Sequence, residues 1–295
     1  MDYRLAVLLH VPLGLKVSSK ELALLTAAEL DVENISAVEA ALTNPTSRAY
    51  LWQHPDWLER SKHILAESEK HSIYWLCLGQ QGYPQLWTEL SRRPALFSYQ
   101  GDVSVLQSPL LAVVGSRTPS TDTLLWLQRE LAAFLKKCKV GTVSGGARGV
   151  DQWAHRLAMD CGERTVCILP SGLLKPFPFA NEKMWQRIVT EGGAMVSTCG
   201  LFEPMCRDFF HTRNRWIAGL SSLCFVAEAN RRSGSILTAG LARDEGRTLC
   251  TLPVFPTAAQ GLGNLDLIEE GAFFLRDQYD LRVLWDRLNC AQAAP

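Results

Sequence analysis

The stretch LLAVVGSRTPS at 110–120, followed by GTVSGGARGVDQWAHRLAM at 141–159, decides the fold. Each begins with a short run rich in apolar and β-branched residues, breaks at glycine and resumes with apolar residues at helical spacing. A strand that is apolar on successive residues belongs in a parallel sheet covered on both faces. The texture continues outward: TVCIL, AMVS, LCFVAEA, TLCTLPV and AFFL read as strands, and 121–137, 150–161, 180–191, 213–220, 235–245 and 262–270 as the helices between them. Strands alternating with helices predict an α/β fold, an extended Rossmann-like domain with a mostly parallel sheet over 109–295, ending in a helix at LRVLWDRL.

Upstream the pattern changes. ELALLTAAEL, ISAVEAAL and WLERSKHILAESEK carry helical spacing and predict a small helical N-terminal domain over 1–70. From 71 to 108 a strand-like IYWLCL is followed by GYP, RRPALF and QGD, whose Gly and Pro mark turns; this is read as a connecting element packed on the main domain.

The chain has 295 residues, 47% apolar and 20% charged, an ordinary globular composition that excludes disordered and collagen-like classes. Thirty Lys plus Arg balance thirty Asp plus Glu, which excludes a generally cationic polymer binder and leaves room for a local basic groove. Residues 1–108 hold nine basic and twelve acidic groups, so the C-terminal part is the more cationic. Nine cysteines without a C-x-x-C pair indicate neither a disulfide framework nor a metal site, and read as free thiols of a reducing cytosol. No apolar run is long enough to span a membrane and no signal peptide is evident, so a cytoplasmic protein is expected.

Ligands of a doubly wound sheet bind where strands end and glycine-rich turns expose backbone N–H groups. Three such turns occur. Gly115, Ser116 and Arg117 offer an open backbone, a hydroxyl and a guanidinium to a phosphate oxygen, with Ser120 or Thr121 placed to cap the next helix; an ordinary turn with a solvated arginine would look the same. Ser144, Gly145, Gly146, Ala147, Arg148 and Gly149 form the second, which matches neither the dinucleotide fingerprint nor the triphosphate loop. Ser233, Gly234 and Ser235 form the third, where either serine could simply be the helix cap. Between the second and third lies RDFFHTRNRW at 207–216. Arginines interleaved with aromatics suit single-stranded nucleic acid, phosphates on guanidinium and bases on rings; the bland alternative buries Phe209, Phe210 and Trp216 and leaves the arginines to water. No catalytic triad and no carboxylate pair stand out, and no cofactor or metal is expected.

Together AVVGSRTPS, VSGGARGVDQWAHRLAM, RNRWIAGLS and SGSILTAGLARDEGR, in this order and spacing, resemble the DNA-processing protein A family, also called Smf. YPQLW and RPALFSYQGD extend the likeness upstream. The resemblance implies a non-enzymatic, homodimeric binder of single-stranded DNA that helps load RecA recombinase during natural transformation. Carried over position by position, its pocket would involve Gly115, Ser116, Arg117, Ser144, Gly145, Phe210, Arg213, Asn214 and Arg215. This sequence departs from the family pattern at Thr198, where the family usually has Glu, at Pro253-Val254 and at Gly263-Asn264-Leu265, and the winged helix that the family often carries is not expected after the last helix. Two other readings stand beside it. One is a nucleotide phosphoribohydrolase-like enzyme, although Ala239, Gly240 and Leu241 follow the third turn where that chemistry places Glu; the other is a divergent partner protein that no longer binds DNA.

Overall fold

The computed structural model describes residues 57–256 and 258–292; most of the expected N-terminal helical domain lies outside the described residues. Its last segment, WLERSKHILAESEK, forms helix α1 (Trp57–Lys70) as its spacing predicts.

The described strands form one nine-stranded sheet in the order β1-β2-β6-β5-β4-β3-β7-β8-β9. Strands β3 (Leu110–Val114), β4 (Gly141–Ser144), β5 (Thr165–Leu169), β6 (Ala194–Ser197) and β7 (Leu223–Val226) are buried at every residue, as expected of parallel strands covered on both faces. With β8 (Thr248–Thr251) and β9 (Phe273–Phe274) they run parallel. The mostly parallel α/β architecture read from the sequence is therefore the one observed.

Residues 71–108 do more than connect. They supply β1 (Tyr74–Cys77) and β2 (Leu96–Gly101), and β2, paired with both β1 and β6, makes the only antiparallel pairings described. The short helix α2 (Gln85–Thr88) drives Trp87 into the main core, where its indole donates to the Trp216 carbonyl at 3.0 Å and meets Phe97 edge-on at 5.2 Å. This segment shares the sheet and the core of the domain.

The crossover helices begin where capping residues allow. Ser120 caps α3 (Thr121–Trp126), which continues through a π turn at Leu127–Leu131 into α4 (Ala132–Cys138). Then follow α5 (Val150–Asp160) and α6 (Glu182–Thr190). Helix α7 (Arg207–Gly219) starts six residues before the expected position: extended Cys206 launches it, Asp208 supports its first turn, and the whole arginine-aromatic segment is helical. Ser233 caps α8 (Gly234–Asp244); α9 (Leu262–Glu269) and α10 (Gln278–Gln292) complete the chain order. At the altered position 264, Asn264 is fully buried and ties three loop segments, accepting from Ala229 N and donating to the Ala227 and Leu252 carbonyls. Thr198 accepts the Trp216 indole N–H at 3.1 Å.

Candidate nucleic-acid interface

The turns after β3, β4 and β5 open on the same end of the sheet, and α7 passes beside them. Between them lies a pocket of about 240 Å³ lined by Arg117, Gly145, Ala147, Arg148, Pro170, Phe177, Pro178, Phe210 and Arg213.

Gly145 is the hinge of this arrangement. A Cβ there would stand 1.5 Å from Nη1 of Arg213, so only glycine lets the guanidinium lie on the second turn. Asp151, in the first turn of α5, holds that turn by accepting from Gly145 N and Ala147 N, both at 3.2 Å. Gly149, at φ 88°, brings α5 under the first turn, where Val150 N donates to the Ser116 carbonyl at 3.0 Å.

Arg213 is only 6% exposed, its Nε has no hydrogen-bond partner, and among the described residues no carboxylate forms an ion pair with it. Burial pulls its pKa below the ordinary value; Asp151 opposes that shift and the like charge of Arg117 adds to it. A guanidinium stays charged all the same, so a buried cation faces a second cation across the pocket. Burial pushes the Asp151 carboxyl upward against Arg213 and the two loop N–H groups. Deeper still, His155 is fully buried, shares a 2.7 Å hydrogen bond with Thr165 Oγ1, and is held down to about 3 by burial and then by Arg213, so it is neutral.

The aromatic wall stands on the same helix. Phe210 lies one turn before Arg213, which sits 5.6 Å from its ring centroid, and Phe177 meets Phe210 edge-on at 6.1 Å.

Not every residue expected at the site reaches it. Gly115 is pressed against Val150, and Ser116 N donates to the Glu228 carbonyl at 2.6 Å; they shape the turn that carries Arg117. Ser144 is buried and donates to the Val113 carbonyl at 2.6 Å, beneath the pocket. Asn214 turns toward the start of α8, and Arg215 points away altogether: it pairs with Glu245 and lies 3.4 Å from Ser91 Oγ, clasping α7 to α8 and to the 85–93 segment. Arg148, read only as part of the second turn, lines the pocket, and so do Phe177 and Pro178, which the sequence reading did not single out although KPFPF at 175–179 sets a lysine beside two phenylalanines.

The crevice where strand order reverses, between β3 and β7, holds the carboxylate of Glu228. It accepts from Ser120 N, from the Ser120 hydroxyl at 2.5 Å and from Thr123 Oγ1 at 2.8 Å, at the start of α3 where a nucleotide phosphate would otherwise rest.

Comparison with known proteins matches residues 74–285 to the sequence model described as DNA recombination-mediator protein A. The chain belongs to that family. It is 33% identical over 199 residues to DNA processing protein DprA of Streptococcus pneumoniae, covering 68% of this chain and 70% of that protein, and 34% identical to Protein Smf of Escherichia coli, covering 76% and 57%. Across the curated family members it matches, the chain spans from under half to 70% of their length. The crystal structure of the Streptococcus pneumoniae family member superposes with a TM-score of 0.76 at 27% identity, covering 96% of this chain and 97% of the other. A Helicobacter pylori DNA processing protein A, described for its single-stranded DNA binding mode, gives 0.63 at 27% identity over 72% and 96%.

Proposed function

We propose that this chain binds single-stranded DNA in the pocket between Arg117, Arg213 and Phe210 and, as a recombination mediator, loads RecA onto incoming DNA during natural transformation. The observation that carries this reading is the buried guanidinium of Arg213, which forms no ion pair among the described residues and faces Arg117 beside an aromatic wall. Two like charges in one pocket become favourable when a polyanion lies between them, and the rings beside them offer faces to bases. Arg148 at the mouth adds a third phosphate contact, and the backbone turns supply further donors. In this role the protein is not an enzyme, needs no cofactor or metal, and works in the cytoplasm as a homodimer. Edge strand β9, whose Phe273 and Phe274 are half exposed, beside exposed Tyr279 and Val283, supports a self-association surface at the far end of the sheet. Among the described residues no helix is long and apolar enough to cross a membrane.

The phosphoribohydrolase-like reading meets an occupied crevice: Glu228 already satisfies the start of α3. The test is fluorescence anisotropy of labelled oligothymidylate at two salt concentrations with duplex competitor. The expected outcome is salt-sensitive binding that duplex does not displace; Arg117→Ala should weaken it and reduce the slope of log affinity against log salt by about 0.7. Release of free base from nucleoside monophosphates, without DNA binding, would favour the enzyme instead.

A further inference from the structure

The pocket is small. Its volume of about 240 Å³ lies below the roughly 300–1,000 Å³ of sites that engulf a drug-sized ligand, so it takes one nucleotide rather than a run of them. A bound strand must leave over the rim, and the rim carries a second aromatic element. Phe179 is 72% exposed, two residues beyond Phe177 and next to Pro178, both of which line the pocket. The backbone that presents it is held at both ends: Phe177 N donates to Ser171 Oγ at 3.1 Å, while Asn181 donates to the Gly146 carbonyl at 2.8 Å and accepts from Gln152 at 2.6 Å. A large ring kept in water by an ordered loop, fixed to the same glycine turn that seats Arg213, is poised to stack at little further ordering cost. Lys175, exposed on this loop, and Arg148, exposed on the glycine turn, supply cations at the rim for the linking phosphates.

We propose that Phe179 is the stacking platform for the nucleobase next to the one held in the pocket, so that the 175–179 loop sets the path of the strand and the number of nucleotides bound. The proposal rests on the DNA reading above, and a cycle of protein and DNA changes tests it apart from that reading. Affinities are measured by anisotropy for a series of 12-nucleotide oligothymidylates with a single abasic position walked along the strand, using wild type, Phe179→Ala, Phe179→Trp and Arg117→Ala. Because Phe179 is exposed, its variants should retain the wild-type melting temperature. The expected result is a loss of about 10-fold for Phe179→Ala on intact DNA, the scale of one base–aromatic stack, and full retention by Phe179→Trp. An abasic site adjacent to the pocket nucleotide should cost wild type the same factor and cost Phe179→Ala nothing more, because the two changes remove one contact. Additive losses at every position, or unchanged affinity of Phe179→Ala while Arg117→Ala is impaired, would overturn the platform and leave the pocket reading standing. No binding of any oligonucleotide by wild type would overturn both.

Discussion

Arg213 and Arg215 sit two residues apart on α7, about 200° around the helix, and their surroundings are opposite. Arg213 faces a pocket with its charge unmatched by any ion pair among the described residues, next to Arg117; Arg215 faces the 85–93 segment and is neutralised by Glu245. Although burial pushes the Glu245 carboxyl up, hydrogen bonds from the Ser91 backbone and hydroxyl and from Arg215 hold it below the usual carboxylate range. One arginine thus completes the fold and the other leaves a positive charge open to a ligand. The difference teaches that a basic motif is assigned by what surrounds each guanidinium, since a paired charge has little left to offer a phosphate.

The sharpest way to break this contrast is to disturb each of the two faces of the helix in turn. Arg215→Ala leaves the Glu245 carboxylate, whose side chain is 3% exposed, without its cation; an unfolding free energy lowered by about 3 kcal/mol is expected in urea denaturation, with DNA affinity of the folded protein unchanged. A loss of affinity with intact stability would place Arg215 at the DNA instead. Gly145→Ala attacks the Arg213 face without removing any charge. The methyl group takes the place of the Arg213 guanidinium, and anisotropy should register a fall in DNA affinity of about 50-fold with only a small shift in melting temperature. Unchanged affinity would show that Arg213 need not lie on the second turn. The smallest effect concerns what lies beneath the pocket. His155 is buried neutral with its pKa held down to about 3, so the unfolded chain binds the extra proton as pH falls below about 6.5. The associated stability is therefore complete above pH 6.5 and is lost as pH falls toward about 3, amounting to about 1 kcal/mol between pH 7 and pH 5.5. His155→Gln should flatten that part of the stability profile, and an identical slope in the variant would assign it to other groups.

The contrast also marks how far the sequence could be read. Strands apolar on successive residues, such as LLAVV and the VCIL of TVCIL, announce a doubly covered parallel sheet because side chains on both faces then seek burial, a pattern that is local in the chain. Ser120 and Ser233 announce helix starts for the same reason: a cap bonds to a backbone N–H three residues on. The two antiparallel strands of 71–108 were half visible in IYWLCL, but nothing local says that Leu96–Gly101 should pair with Ala194–Ser197. At the site, the glycine turns were legible from residue type and spacing and Phe210 from the family resemblance, whereas Phe177 and Phe179 in KPFPF were not separated from an ordinary proline-rich loop.

The sequence by itself determined the order of strands and helices from Leu110 onward, the positions of the glycine turns and the membership of the family, because these rest on periodicity and on residues close together in the chain. Only the tertiary structure decided which arginine of Arg213-Asn214-Arg215 carries an open charge. Glu245, which neutralises Arg215, lies 30 residues after it, its hydrogen-bond partner Ser91 lies 124 before it, and the glycine surface that receives Arg213 lies on a different strand end. Charge is matched through space rather than along the chain, and the fold alone brings those distances down to contact.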